Sequence, residues 1–218
     1  MVYMLGSDME EQSEAASNDI LEMLRSKSDQ SAHVYIMTGG SHNWALREAL
    51  DNGTTAMTVN DGAIEVIHSE VGGTVATTDA LEGFIRLCDT HTPSDVNYLI
   101  LWGHGCEGTL GVGYDSLRED DTLTLSEICQ AIENSAVSID ILGFDACGMA
   151  TEPVVRVLSG CCKHLLASEQ TIDLNGWPYR QIIDELTGDP DTDSRCICDR
   201  VAQNTTRTGE GFLLQQLF

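Results

Sequence analysis

Apolar positions along this chain fall into two alternating periods. Short, largely apolar runs occupy 2–5, 33–37, 98–102, 139–143 and 164–168. Glycine pairs or glycine-flanked turns bound several of them, as strands buried on both faces require. Between the runs lie stretches with helical spacing. Residues 8–25 place Ala16, Ile20, Leu21, Met23 and Leu24 on one stripe, with acids crowding the first turns. Residues 78–89 do the same with Leu81, Phe84, Ile85 and Cys88. A helix over 123–132 is predicted with Thr124 as its N-cap and Glu127 three residues on. Further helices are expected around 154–158 and over 177–186.

Two segments depart from that rhythm. Residues 54–59 and 63–68 alternate polar and apolar around Asn60-Asp61-Gly62, which is a hairpin signal. Residues 108–113 read as a loop or short hairpin, and 116–121 as a charged, exposed loop. Strand and helix in alternation predict an α/β fold, with a mostly parallel central sheet and helices on both faces. A polar break near 188–193 separates a core, residues 1–188, from a C-terminal segment, 189–218. That segment is expected to be helical, packed on the core or forming the stub of a further domain.

Two of the predicted strands end on reactive residues. Tyr98-Leu-Ile-Leu-Trp102 runs into Gly103-His104-Gly105, and the 139–143 run leads to Phe144-Asp145-Ala146-Cys147. Neighbouring parallel strands would bring His104 and Cys147 to one crevice at the carboxyl ends of the sheet. Glycines on both sides of His104 let backbone approach a substrate, and the amides of Gly105 and Cys147 are candidate oxyanion donors. A helix expected soon after Cys147 would favour its thiolate. Asp145, two residues before the cysteine, points the same way on an extended segment and suits a cationic partner, arginine above all. The pattern indicates a cysteine–histidine hydrolase. His33, His42, His68, His91 and His164 carry no comparable context and read as structural or surface residues.

Composition narrows the partners. The 218 residues hold 11 Lys and Arg against 35 Asp and Glu, a net charge of −24. Such a surface repels nucleic acid and anionic lipid and favours cationic substrates. No apolar run is long enough to span a membrane, and no leader peptide opens the chain, so secretion and cytoplasmic residence both stay open. Of eight cysteines, Cys88 and Cys129 sit in apolar helical patterns and read as buried small hydrophobes. A chain of this length does not need disulfide staples. Cys161–Cys162 and Cys196–Cys198 lack the ligand spacing of a zinc site, and no metal site is assigned.

The ordered set of motifs resembles the clostripain family of cysteine peptidases, which share a caspase-like fold. The residues that carry the resemblance are the opening 1–9 with Asp19-Ile-Leu-Glu-Met23, the histidine segment 98–105, Gly113-Tyr114-Asp115, and the nucleophile segment 141–147. Leu166-Ala-Ser168-Glu169 and Gly176-Trp177-Pro-Tyr179 resemble the wall of the substrate pocket. The resemblance implies a caspase-like sandwich and a His104/Cys147 dyad cutting peptide bonds after arginine or lysine. Asp145 would lie at the base of the pocket, and Ser168, Glu169 and Trp177 would line it. It also implies self-processing between the two segments, for which Arg118 is the candidate. No cofactor is required; calcium is the one ion the resemblance admits, and the acids of 115–121 otherwise read as a solvated loop. A monomer acting on peptide or protein substrates is expected. The rival reading is a caspase-like binding or regulatory module without catalysis.

Overall fold

The computed structural model describes residues 1–27, 31–105, 111–119, 121–188, 195, 198–199 and 212–216. The apolar runs become the parallel part of one sheet: β1 (Val2–Leu5), β2 (Val34–Gly39), β5 (Tyr98–Trp102), β8 (Ile141–Asp145) and β9 (His164–Ser168). The predicted hairpin, β3 (Gly53–Asn60) and β4 (Ala63–Val71), continues the sheet antiparallel from β2. It turns through Asp61 and Gly62, both at positive φ. At the far edge β10 (Phe212–Gln216) pairs antiparallel with β9. The spatial order is β10-β9-β8-β5-β1-β2-β3-β4. A separate two-stranded ribbon, β6 (Gly111–Asp115) with β7 (Asp121–Thr124), follows β5.

Strand alternation divides the core in two. Tyr3, Leu5, Leu99, Leu101, Leu142 and Phe144 point to a face covered by α3 (Thr78–His91), α4 (Leu125–Ser135) and α5 (Glu152–Leu158). Val2, Met4, Ile100, Trp102 and Ile141 point to the opposite face, under α2 (Ala15–Met23) and α6 (Tyr179–Gly188). Because helices cover both faces, both sides of the central strands are buried, which is why these runs are mostly apolar in sequence. Each fully buried Leu, Ile or Phe in these layers contributes about 1.5–3 kcal/mol. The predicted capping box on α4 is present. Thr124 Oγ1 accepts from the Glu127 amide at 3.3 Å, and the Glu127 carboxylate accepts from the Thr124 amide at 2.9 Å.

Several expectations need correction. The single helix over 8–25 is two, α1 (Ser7–Ser13) and α2, broken at Glu14 with φ 55°. The buried carboxylate of Glu10 accepts from the Ser17 amide, the Ser17 hydroxyl and the Ala45 amide. It thus ties the start of α2 and the 45–46 turn to α1 and holds the bend. The helix predicted over 177–186 begins at Tyr179, because Pro178 disfavours helical backbone at Trp177. Cys129 is not a free buried thiol: it forms a disulfide with Cys161, joining α4 to the turn between α5 and β9. In the segment 189–218, expected to be helical, the described stretch 212–216 is a strand. It satisfies the open hydrogen-bonding edge of β9. Cys106 and Cys196, and 108–110 of the predicted loop, lie outside the described residues.

Candidate active site

Register assembles the site. β5 and β8 pair with Trp102 opposite Asp145, so His104 and Cys147 each lie two residues beyond a matched pair. β1 lies on the other side of β5, with Met4 opposite Trp102. The chain leaving it reaches Asp8 in the first turn of α1. The strand order β8-β5-β1 therefore sets Cys147, His104 and Asp8 side by side along one carboxyl edge.

Close backbone contact binds the first two segments. A Cβ on Gly105 would lie 1.6 Å from the carbonyl oxygen of Cys147 and 2.6 Å from its amide nitrogen, so only glycine fits there. The Gly103 amide donates to the Asp145 carbonyl at 3.2 Å, and the Gly113 amide to the His104 carbonyl at 2.7 Å. Cys147 is half-buried in a turn, and α5 starts only at Glu152. The expected help from a helix N-terminus is therefore absent, since that effect fades within a turn. The thiol is instead met by backbone: the Ile172 amide donates to Cys147 Sγ at 3.2 Å. The Gly148 amide donates to the Gln170 carbonyl at 3.1 Å.

His104 is half-exposed and makes two side-chain contacts that sequence reasoning missed. Its Nε2 lies 2.7 Å from Asp8 Oδ1. Its ring stacks on Tyr114, with centroids 5.3 Å apart and planes 9° from parallel. Burial alone would raise the Asp8 carboxyl, but hydrogen bonds from Tyr114 and His104 and the histidine's charge hold it below its ordinary value. The Tyr114 phenol is pushed up to about 12 by burial and by Asp8. The only sequence signal for Asp8 was an acid in the first turn after an apolar strand, which is too common a pattern to single out.

Beneath Cys147 lie two buried carboxylates. Asp145 Oδ2 accepts from the Trp177 amide at 3.0 Å and from the Tyr179 hydroxyl at 2.9 Å. Asp19, on α2, accepts from the Trp102 indole at 2.7 Å. A Cβ on Gly176, at φ +60°, would lie 2.8 Å from Asp145 Oδ2 and 3.1 Å from Asp19 Oδ2, so the two acids share the space under that glycine. Burial and the charge of Asp145 push the Asp19 carboxyl up to about 9, against the pull of the Trp102 hydrogen bond.

The sequence pattern of the clostripain family matches residues 2–212. This chain belongs to the clostripain family. Among curated proteins, none matches it. Two solved structures illustrate the likeness. One is a secreted C11 cysteine protease from Bacteroides thetaiotaomicron in complex with an irreversible peptide inhibitor. It has a TM-score of 0.74 and 20% identity, over 95% of this chain and 57% of that one. The other is an inactive zymogen C11 protease from Parabacteroides distasonis, with a TM-score of 0.74 and 17% identity, over 99% of this chain and 60% of that one. The chain thus spans about three fifths of their length. The likeness bears out the α/β sandwich that the family resemblance implied.

The remaining residues expected at a clostripain-family site are placed unevenly. Trp177 is buried, its ring resting where Gly143 of β8 has no side chain; a Cβ there would lie 2.8 Å from the indole. Ser168 is fully buried, and its hydroxyl accepts from the Gln170 amide at 3.1 Å, shaping the turn that leads to Ile172. Glu169 is exposed beside that turn. Arg118 lies exposed in the turn between β6 and β7, with its guanidinium donating to the Gly72 carbonyl. Asp115, the first acid of the 115–121 stretch, is buried and already accepts from Thr74 at 2.7 Å and from the Leu117 amide at 2.9 Å.

Proposed function

We propose that this protein is a cysteine endopeptidase that hydrolyses peptide bonds after arginine or lysine. Cys147 is the nucleophile and His104 the acid that protonates the departing amine. The observation that carries the reading is the β5–β8 register with the Gly105–Cys147 backbone contact. In a clostripain-family chain it brings a histidine and a thiol to one crevice. The thiolate attacks the scissile carbonyl, and the amides of Gly105 and Cys147 hold the oxyanion. His104 gives its proton to the leaving amine, and water then releases the acyl group from sulfur.

Two buried acids beneath the nucleophile favour a basic residue on the acyl side. A guanidinium or ammonium entering there would meet Asp145 directly and would remove the cost of holding Asp19 close to it. The segment 172–177 lies over both thiol and acid, so substrate entry requires it to move. That closure suits a precursor activated by a cut at Arg118 between the two segments. The Cys129–Cys161 disulfide suits an oxidising compartment. Among the described residues no helix is long and apolar enough to cross a membrane.

Turnover of fluorogenic peptides ending in arginine, lysine, aspartate or alanine tests the reading, with and without calcium, against Cys147→Ala. Cleavage after the basic residues alone, absent from the control, is expected. Silence on all four peptides from protein already cut at Arg118 would overturn it. On prolonged incubation the parent should yield two fragments and Arg118→Ala only one band.

A further inference from the structure

A histidine that is half-exposed, flanked by glycines and free to rotate would sample several ring orientations. Here it does not have that freedom. Asp8 Oδ1 sits 2.7 Å from Nε2, and the Tyr114 ring lies flat against the imidazole. The Tyr114 side chain also acts on the same Asp8 carboxylate, so the three side chains are gathered at one place. We propose that Asp8 and Tyr114 are positioning residues for His104, the carboxylate fixing the tautomer and the phenol ring fixing the plane. The inference rests on the reading of His104 as the proton donor to the leaving amine.

The backbone under Asp8 supports a dedicated arrangement. Ser7, wholly buried, is held at φ 48°, a left-handed conformation that serine adopts only when its surroundings impose it. Its amide donates to the Gly40 carbonyl at 3.0 Å, and the preceding Gly6 amide to the Gly39 carbonyl at 2.8 Å. β2 therefore dictates where α1 begins and aims Asp8 toward the end of β5. From the other side, β6 is fastened to the histidine segment through the Gly113–His104 hydrogen bond, which presents Tyr114 to the ring. An ion pair as exposed as this one stabilises a fold little. Its value is geometric.

The chemistry follows from which nitrogen is occupied. With Nε2–H donating to Asp8, Nδ1 is left to face the reacting bond. In the acid form of the ring both nitrogens carry protons, and the carboxylate keeps the same hold on Nε2–H. Tyr114 stays a neutral phenol across the working pH range, so it sets no second negative charge beside Asp8. No proton passes to Asp8; its role is to orient.

Two measurements test this. With peptide substrate, Asp8→Ala and Asp8→Asn should lower kcat by about 10- to 100-fold with KM changed less than about twofold. Asp8→Glu should recover part of the loss, and Tyr114→Phe, which keeps the stacked ring, should fall less than Tyr114→Ala. In Cys147→Ala protein, nitrogen-15 spectra of His104 should show a protonated Nε2 and bare Nδ1 at alkaline pH, and mixed tautomers once Asp8→Ala is added. Full kcat in the Asp8 variants, or an unchanged tautomer, would overturn the proposal while leaving the peptidase reading intact. A parent inactive on every peptide would overturn the peptidase reading, and the spectra would then still decide the positioning. Should Asp8→Ala fail to fold, the Tyr114 pair and Asp8→Asn carry the test.

Discussion

Asp19→Asn isolates the cost of setting two carboxylates together under Gly176. In the folded chain the Asp19 carboxyl titrates at about 9 because of burial and the charge of Asp145. In the unfolded chain it titrates near an ordinary aspartate, about 3.9. Between those values folding takes up a proton, so this group's contribution to stability is complete below about pH 4 and declines as pH rises toward 9. The slope is about 1.4 kcal/mol per pH unit, or roughly 4 kcal/mol between pH 5 and pH 8. Part of that repulsion is carried by Asp145, so relief on the order of 2 kcal/mol is expected from the substitution over that interval. Asparagine has the same shape, and its carbonyl can still accept from the Trp102 indole, so packing and that hydrogen bond survive. Urea unfolding of Cys147→Ala protein, with and without Asp19→Asn, at pH 5 and pH 8 measures the effect. The variant should gain on the parent as pH rises. Curves displaced by the same amount at both pH values would refute the claim that Asp19 is buried protonated beside Asp145.

Three further outcomes are expected. Gly105→Ala drives a methyl into the Cys147 carbonyl and should cut turnover by at least about 100-fold, since misplacement of reacting groups by an ångström costs that much. Gly148→Ala, at φ +64° with open space where the methyl would go, should cost stability by about 1 kcal/mol without a clash. Chemical denaturation without reductant compares the parent with the Cys129→Ala, Cys161→Ala double variant. The disulfide closes a separation of 32 residues, and its loss should lower stability by about 3–4 kcal/mol. Adding reductant should lower the parent alike and leave the double variant unmoved; a parent indifferent to reductant would contradict the bond.

Much of this protein is legible in the order of its residues. The strands at 98–102 and 164–168, the 60–62 turn and the Thr124–Glu127 cap rest on local rules: apolar runs bounded by glycine, positive-φ turn residues and capping stereochemistry. The adjacency of His104 and Cys147 was also inferable, because parallel strands deliver their carboxyl ends to one edge. Other features required distance information that no local pattern carries. Glu10 bends the helix over 8–25 through partners at Ser17 and Ala45, the second of which is 35 positions away. Cys129 meets Cys161 only because α4 packs on α5. Asp8 reaches His104 across 96 positions because β1 happens to neighbour β5. The sequence alone determined most of the strands and helices and singled out His104 and Cys147 as the candidate reactive pair, since both follow from short-range sterics and apolar patterning. Tertiary structure alone decided the partners of those groups: Asp8 and Tyr114 on the histidine, Ile172 on the thiol, and Asp19 beside Asp145. Such contacts depend on strand order and register, which are settled by the packing of the whole sheet between its helices.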